Sequence, residues 1–381
     1  MPAFAKIEAN IDAYSAGEAV ATGAPRIIHR LLIADEIAVK GRARWDDKTN
    51  MILGACREHT PPGSREFCDL QDATTFFERL DRNEFHLASE ATVAALGSLA
   101  REPQLYNPRP VCISGTCKTE KGYQHAALLR KLLEAADNRK VHGNITYRKV
   151  SFASDGEAKR GLALALEFMK YPLSPTSPIY SLLQPLDFMN LLVGPDDITP
   201  DKDYRHVIKA LRSLLMRRMS INVLGFEIVP AVVKQHLRDV GLTEERIRSL
   251  FYTNRRQNVD RTYGLPKEAW SLPNAPPMAS PTLSLREQLT HMSTAADLLL
   301  VLFTTDNAGA NFMANQTFVN IMLMIKNAFF CVAKAKVDIP DSEFFLILLG
   351  TDRLEKRRAS NITEVYIILG LNPTEIEDHA D

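Results

Sequence analysis

The chain has 381 residues, which is long enough for about two or three domains with a sizeable core. Its composition, 45% hydrophobic and 24% charged, is that of a globular protein and excludes an intrinsically disordered chain. Lys+Arg and Asp+Glu both number 46, so overall charge does not indicate a nucleic-acid partner, and only local basic clusters can do so.

Residues 1–25 are small and mixed, and we expect them to form a poorly ordered lead-in. They contain no basic region followed by an apolar one, as a secretory signal would. The longest apolar stretches, 296–303 and 320–335, are shorter than the ~18 residues of a membrane span, and Lys326 interrupts the second. We therefore expect an intracellular protein with no membrane partner.

Residues 26–169 alternate between strand and helix patterns. The apolar run 26–35 predicts a buried strand that ends in the acids Asp35 and Glu36. The patterns that follow predict a hairpin at 44–56, a loop at 59–68, helical structure over 71–100, a strand at 111–115, a helix at 120–136, a strand at 145–153 and a helix to 169. This order predicts an α/β layer with a mixed sheet.

After Pro185 the pattern becomes helical. Helical spacing covers 196–250 and 285–336, and prolines between 266 and 281 mark an extended connector. The apolar run Phe344–Leu349 is followed by the predicted start of another helix, which carries the acids Asp352 and Glu355.

Three acidic residues lie where a predicted strand or helix begins or ends: Asp35, Asp155 and Glu355. Two-metal phosphoryl transfer needs several carboxylates that converge on two ions about 3.5–4 Å apart, and hard oxygen ligands suit Mg²⁺ or Mn²⁺. Helix capping is the alternative for two of them, because Ser154-x-x-Glu157 and Asp352-x-x-Glu355 both fit a capping box.

The segments around these acids resemble those of the P-element/THAP-type DDE transposases. The family places an Asp-Glu strand before a hairpin, then an Asp-Gly strand, then a His/Lys/Arg-rich segment and an Asp-x-Leu-Glu helix. The matching segments here are Asp35-Glu36 with Trp45 and Gly54, 150–156, 203–212 and 351–355. Similar transposon-derived proteins occur in fungal genomes.

The resemblance implies an RNase H-like mixed sheet with helices, interrupted by a large all-helical insertion. It implies that Asp35, Asp155 and Glu355 are the catalytic, metal-binding triad for Mg²⁺-dependent (or Mn²⁺-dependent) DNA strand cleavage and transfer. The implied partner is transposon-end DNA in the nucleus, and a homo-oligomer is left open. Some relatives bind GTP through the insertion. This chain has no G-x-x-x-x-G-K-[ST] loop, so GTP binding is implied by the resemblance alone.

Five segments follow from this resemblance. They are a lead-in at 1–25, the first part of the RNase H-like core at 26–190, the helical insertion at 191–340, the returning catalytic helix at 341–358 and an atypical tail at 359–381. The family pattern breaks after Glu355, and no Cys/His-rich DNA-binding module precedes the core, so we expect a truncated product. The alternative function is a catalytically inactive scaffold that binds nucleic acid or protein.

A basic segment follows Asp203 within the predicted insertion. Its apolar residues form one stripe of a helix, and its basic residues lie on the opposite face or extend it: Arg205, Lys209, Arg212, Arg217 and Arg218. These side chains fit phosphate contacts with DNA, which carry no base specificity. A solvated helix face fits the same pattern.

Cysteines offer one further candidate site. Cys56-Arg57-Glu58-His59 has the C-x-x-H spacing of zinc ligands, and Cys68 lies nearby. No fourth ligand follows at a finger-like spacing, so the favoured interpretation is reduced cysteines in the core or in loops.

Overall fold

The computed structural model divides the chain into two compact units. We name Met1–Pro172, Leu192–Ile198 and Thr351–Asp381 the sheet unit, and Leu173–Leu191 with Thr199–Gly350 the insertion unit. The structure describes residues 2–22, 26–100, 105, 107–155, 157–217, 220–223, 225–252, 283–304, 309 and 312–354. The boundaries predicted from the sequence, at 190/191 and 340/341, stay predictions.

The sheet unit is built around β1 (Arg26–Ala38), which has a partner strand on each side. Three strands complete its main part: β4 (Glu90–Ser98), β5 (Arg109–Thr116) and β7 (Ile145–Ser154). β4 pairs antiparallel with β1 and with β5, whereas β7 pairs parallel with β1. The short β6 (Val141–His142) pairs with β7, so the sheet is mixed and β1 lies in its interior.

β1 takes this interior position because both of its faces are apolar, as a strand covered on two sides requires. Leu32 and Ala34 belong to a large buried cluster on one face. Leu31 and Ile33 belong to a smaller cluster on the other face. Side chains alternate along a strand, so Asp35 follows Ile33 on the smaller cluster's side.

Helices α1 (Phe4–Thr22), α3 (Gly122–Asn138) and α4 (Ala158–Phe168) supply the large cluster. The expectation of a poorly ordered lead-in at 1–25 is wrong, because Phe4–Thr22 is a helix. It buries Ile7 and Ile11 in that cluster. Its other positions are mostly Ala, polar or charged residues, so it shows no broad apolar stripe. Phe4 and Tyr14 also pack against the cluster, and the buried Glu18 pairs with Arg30 of β1.

Between β1 and β4 lie the hairpin of β2 (Arg44–Asp46) with β3 (Met51–Leu53) and the helix α2 (Leu70–Asp81). The hairpin prediction is confirmed. The helical prediction over 71–100 is right only as far as α2, since Glu90–Ser98 is β4. β4 is buried along nearly its whole length, and a continuous apolar run of this kind has no strand periodicity.

In the part of the insertion unit that the structure describes, the elements are helical apart from one strand, β10 (Thr199–Lys202), and one hairpin, β11 (Ile221–Val223) with β12 (Phe226–Ile228). Its described helices are α5 (Tyr180–Leu183), α6 (Tyr204–Met216), α7 (Pro230–Asp239), α8 (Glu244–Phe251), α9 (Leu285–Phe303) and α10 (Asn315–Asp338). The sheet unit also contains the short pair β8 (Tyr171–Pro172) and β9 (Leu192–Val193). The prediction of a mixed sheet with helices, interrupted by a large helical insertion, is confirmed.

Helix α10 is the central element of the insertion unit, where it packs against β10, α6 and α9. Its length and composition would allow it to cross a membrane. The sequence instead predicts that the apolar stretch in this region is too short for a membrane span. However, 67% of its apolar window is buried inside the protein, and the buried Lys326 and Lys334 lie on it. These are the properties of a core helix.

Candidate metal-binding carboxylate site

Asp35 lies near the end of β1, opposite Val93 of β4 and one residue beyond the pairing of Ala34 with Ser154 of β7. Its side chain is buried, and its Oδ1 accepts a hydrogen bond from the backbone N–H of Glu36 at 2.9 Å. A buried carboxylate needs compensation from a donor, a cation or a metal ion. We therefore expect a donor, a cation or a metal ion beside Asp35 at this edge of the sheet.

Asp155 supplies a second carboxylate at the same edge, because it directly follows β7 and β7 runs parallel to β1. The ends of parallel strands meet at one edge of a sheet, which is where ligand sites form in α/β folds. Carboxylate oxygens of Asp35, Glu36 and Asp155 all lie within 4.8 Å of one another. The structure thus brings two of the three predicted site residues together.

The alternative role for Asp155, a capping box with Ser154 as N-cap, is not formed. Helix α4 has Glu157 as its N-cap residue, with no side-chain capping bond. Asp155 instead accepts a 3.3 Å hydrogen bond from the backbone N–H of Glu157, and the Ser154 hydroxyl donates to the Asp155 carbonyl at 3.2 Å. The Asp155 carboxylate therefore lies at the sheet edge and bonds its own turn through Oδ1.

Arg160 is a site residue that the sequence reasoning missed. Its side chain is fully buried, and Nη1 donates to Asp155 Oδ1 at 3.1 Å and to the Ala34 carbonyl at 3.0 Å. Nη2 pairs with Glu36 and lies 3.7 Å from a Glu157 carboxylate oxygen. One guanidinium thus ties the acids of β1 to those after β7. The available signal was an arginine five residues after Asp155, in the first turn of a helix whose later positions are mostly Leu and Ala.

Glu355 lies outside the described residues, and so does the choice between catalysis and helix capping for this acid. The residues before it are described. Leu354 is buried in the same small cluster as Leu31 and Ile33, on the face of the sheet that carries Asp35. Arg353 donates to the Ser98 carbonyl at 2.9 Å. At Leu354 the chain therefore returns to the face of the sheet that carries Asp35.

The predicted DNA-binding residues lie on α6 and at its end, with Arg218 outside the described residues. The apolar stripe is confirmed, since Val207, Ile208 and Leu215 are buried. Arg212 donates to the carbonyls of residues 250 and 252 at 3.2 Å each, and Arg217 donates to the Ser220 carbonyl at 3.0 Å. Both arginines therefore hold neighbouring backbone. Arg205 and Lys209 are half-buried on the same helix.

No protein-family model matches this chain, and no curated protein matches it. Among solved structures, it is similar to the Drosophila P element transposase strand transfer complex. The TM-score is 0.49 at 12% sequence identity, and the match covers 91% of this chain and 74% of that chain. We draw no argument about activity from a likeness at this level.

Proposed function

We propose that this protein is a DDE transposase-like polynucleotidyl transferase that cleaves and joins DNA strands with Mg²⁺ or Mn²⁺. One observation carries the proposal: Asp35 and Asp155, 120 residues apart in sequence, bring their carboxylates within 4.8 Å at one edge of a mixed sheet. Transposon-end DNA is the proposed partner, which makes the nucleus the proposed place of action.

The carboxylates fit the proposed ions. Asp35, Glu36 and Asp155 offer only oxygen ligands, and hard divalent cations such as Mg²⁺ and Mn²⁺ prefer oxygen. Such ions, when bound, activate the attacking oxygen and stabilise the charge on the leaving oxygen. Asp35 and Asp155 would hold them, and Glu355 is the proposed third ligand because Leu354 packs on the face that carries Asp35.

Within this proposal Arg160 is a positioning residue. Its guanidinium fixes Asp155 through Oδ1 and fixes Glu36 through an ion pair. The bond of Nη1 to the Ala34 carbonyl anchors the guanidinium to β1 itself. Arg160 thereby holds the ends of β1 and β7 in a fixed relative position, with their carboxylates side by side.

A plasmid-nicking assay tests the proposal. The purified full chain should convert supercoiled DNA to nicked circles in Mn²⁺ or Mg²⁺, and the activity should fall by roughly 10²-fold or more in Asp35→Asn and Asp155→Asn. Asp81→Asn is the matched control, because Asp81 is an exposed acid at the end of α2. Nicking that survives in Asp155→Asn refutes the catalytic assignment.

The second candidate is an inactive scaffold that keeps the fold and binds nucleic acid or protein. Arg160 favours it, because its guanidinium already compensates the charge of Glu36 and Asp155 without a metal ion. DNA binding without nicking, in both Mg²⁺ and Mn²⁺, would select this candidate. The same preparation must show DNA binding by a shift assay that weakens with added salt.

A further inference from the structure

Two cysteines and two histidines that are scattered in sequence meet in the sheet unit. Cys56 follows the β2–β3 hairpin, and His59 lies in the turn three residues later. His86 lies between α2 and β4, and Cys117 directly follows β5. The ligand atoms of these four side chains all lie within 4.8 Å of one another.

The distances between these side chains agree with tetrahedral coordination of one zinc ion. Nδ1 of His59 lies 3.5 Å from Sγ of Cys56 and 3.4 Å from Sγ of Cys117. Zinc–sulfur bonds of about 2.3 Å and zinc–nitrogen bonds of about 2.0–2.1 Å, at a tetrahedral angle, separate S and N by about 3.5 Å. The rings of His59 and His86 lie beside each other, with their centroids 3.9 Å apart.

Backbone hydrogen bonds hold the segments that carry these side chains. The N–H of Cys56 donates to the His86 carbonyl at 2.9 Å, and the N–H of Arg57 donates to the Gly115 carbonyl at 2.9 Å. The Cys56 segment is therefore bonded to the segment before β4 on one side and to the end of β5 on the other. Fixed backbone of this kind places ligands before an ion binds, which favours binding.

We propose that Cys56, His59, His86 and Cys117 form a Cys₂His₂ site for a structural Zn²⁺ ion. Four protein ligands close a tetrahedral shell and leave no open position for water or substrate, which distinguishes a structural site from a catalytic one. Thiolate and imidazole ligands select zinc over the hard cations proposed for the carboxylates. The two sites share no ligand, so this inference does not depend on the proposed activity.

The zinc site also connects to the carboxylates through Arg57, the residue after Cys56. Arg57 Nη1 donates to Thr92 Oγ1 at 3.0 Å, and Thr92 Oγ1 donates to Glu36 Oε1 at 3.1 Å. Fixing Cys56 therefore also fixes the residue that begins this chain of bonds. The structural role of the ion would be to join the hairpin, the start of β4 and the end of β5.

Metal analysis of the full chain, purified without chelator and then supplied with Zn²⁺, tests the site. We expect about one zinc per chain, and a loss of that zinc in Cys56→Ser and in Cys117→Ser. Cys68→Ser is the matched control and should keep its zinc, because Cys68 is exposed and lies outside the cluster. Zinc content that is unchanged in Cys117→Ser, or no zinc on the unaltered chain, overturns the proposal.

A spectroscopic measurement on the unaltered chain avoids any folding defect of the variants. Zinc X-ray absorption should show two sulfur ligands at about 2.3 Å and two nitrogen ligands at about 2.0–2.1 Å. Replacement by Co²⁺ should give sulfur-to-cobalt charge transfer and the intense visible bands of tetrahedral cobalt. A shell of only nitrogen and oxygen ligands, or six-coordinate cobalt, refutes the assignment.

Discussion

Replacing Glu120 by Gln should destabilise the sheet unit strongly, because Glu120 balances a buried cation. Arg57 and Glu120 expose only 3% and 8% of their side chains. Two nitrogens of the guanidinium bond the Glu120 carboxylate, and Nδ1 of His125 lies 3.2 Å from it. The substitution keeps the volume of residue 120 and removes its negative charge, so the Arg57 charge stays buried without its counter-ion.

Two routes give the size of this effect. Removal of one partner from a buried pair costs about 3–5 kcal/mol. Burial raises the pKa of Glu120, but the hydrogen bonds with His125 and Arg57 outweigh it, so the pKa falls from 4.5 to about 2. That difference corresponds to about 3 kcal/mol of stability at neutral pH.

The same pKa difference fixes the pH dependence. The folded pKa lies below the unfolded value, so the contribution is complete above pH 4.5 and is lost as pH falls from about 4.5 to about 2. The destabilisation caused by Glu120→Gln should therefore be large at neutral pH and should shrink over this interval.

Urea unfolding followed by circular dichroism measures the difference between the unaltered chain and the variant. Glu78→Gln is the matched control, because the Arg82–Glu78 pair on α2 is more than half exposed and should contribute only about 0–1 kcal/mol. A Glu120→Gln variant within about 1 kcal/mol of the unaltered chain at neutral pH refutes the reasoning. A difference that does not shrink in acid refutes the assignment of the low pKa.

Two further substitutions test a turn and a buried lysine. Gly54→Ala should lower the thermal midpoint, because Gly54 has φ +90° and an added Cβ would lie 2.0 Å from a backbone carbonyl oxygen; Gly63→Ala, with open space around it, should not. Burial lowers the pKa of Lys326 from 10.5 to about 7. The unfolded chain therefore takes up the proton first as pH falls from about 10.5 to 7, and stability falls with it. Lys326→Met should then raise the unfolding midpoint more at pH 6 than at pH 10, and an equal gain at both would contradict this reasoning.

The sequence could predict those elements whose local pattern matches their final environment. The run before Asp35 is apolar enough to identify an interior strand, and the approximate bounds of α3 and β7 follow from their periodicity. β4 could not be separated from a helix, since Val93 and Leu96 also fit helical spacing. Helix α1 was missed because its contact with the sheet needs only a few anchors, which local pattern does not reveal.

The zinc ligands show why long-range sites are harder to find. Cys56 and His59 have a recognisable spacing, but the other two ligands do not follow them at a short, finger-like spacing. Local sequence pattern therefore does not reveal the complete ligand set. Cys117 is 58 residues from His59, and the pairing of β4 with β5 brings its segment back to the hairpin. His86 is placed by the bond between its carbonyl and the N–H of Cys56. Only the strand order identifies these two residues as neighbours.

The balance between the charge of Arg160 and the charges of the carboxylates bears on the choice between the two candidate functions. Asp35, Glu36 and Asp155 together carry three negative charges when ionised, and the single positive charge of Arg160 is shared between Glu36 and Asp155. Asp35 is the most buried of the three, and its Oδ1 accepts a hydrogen bond from the backbone N–H of Glu36. Three carboxylates within 4.8 Å of one another repel when ionised, and a divalent cation relieves that repulsion. The proposed metal-dependent function therefore gives this group of carboxylates a role that the scaffold alternative does not.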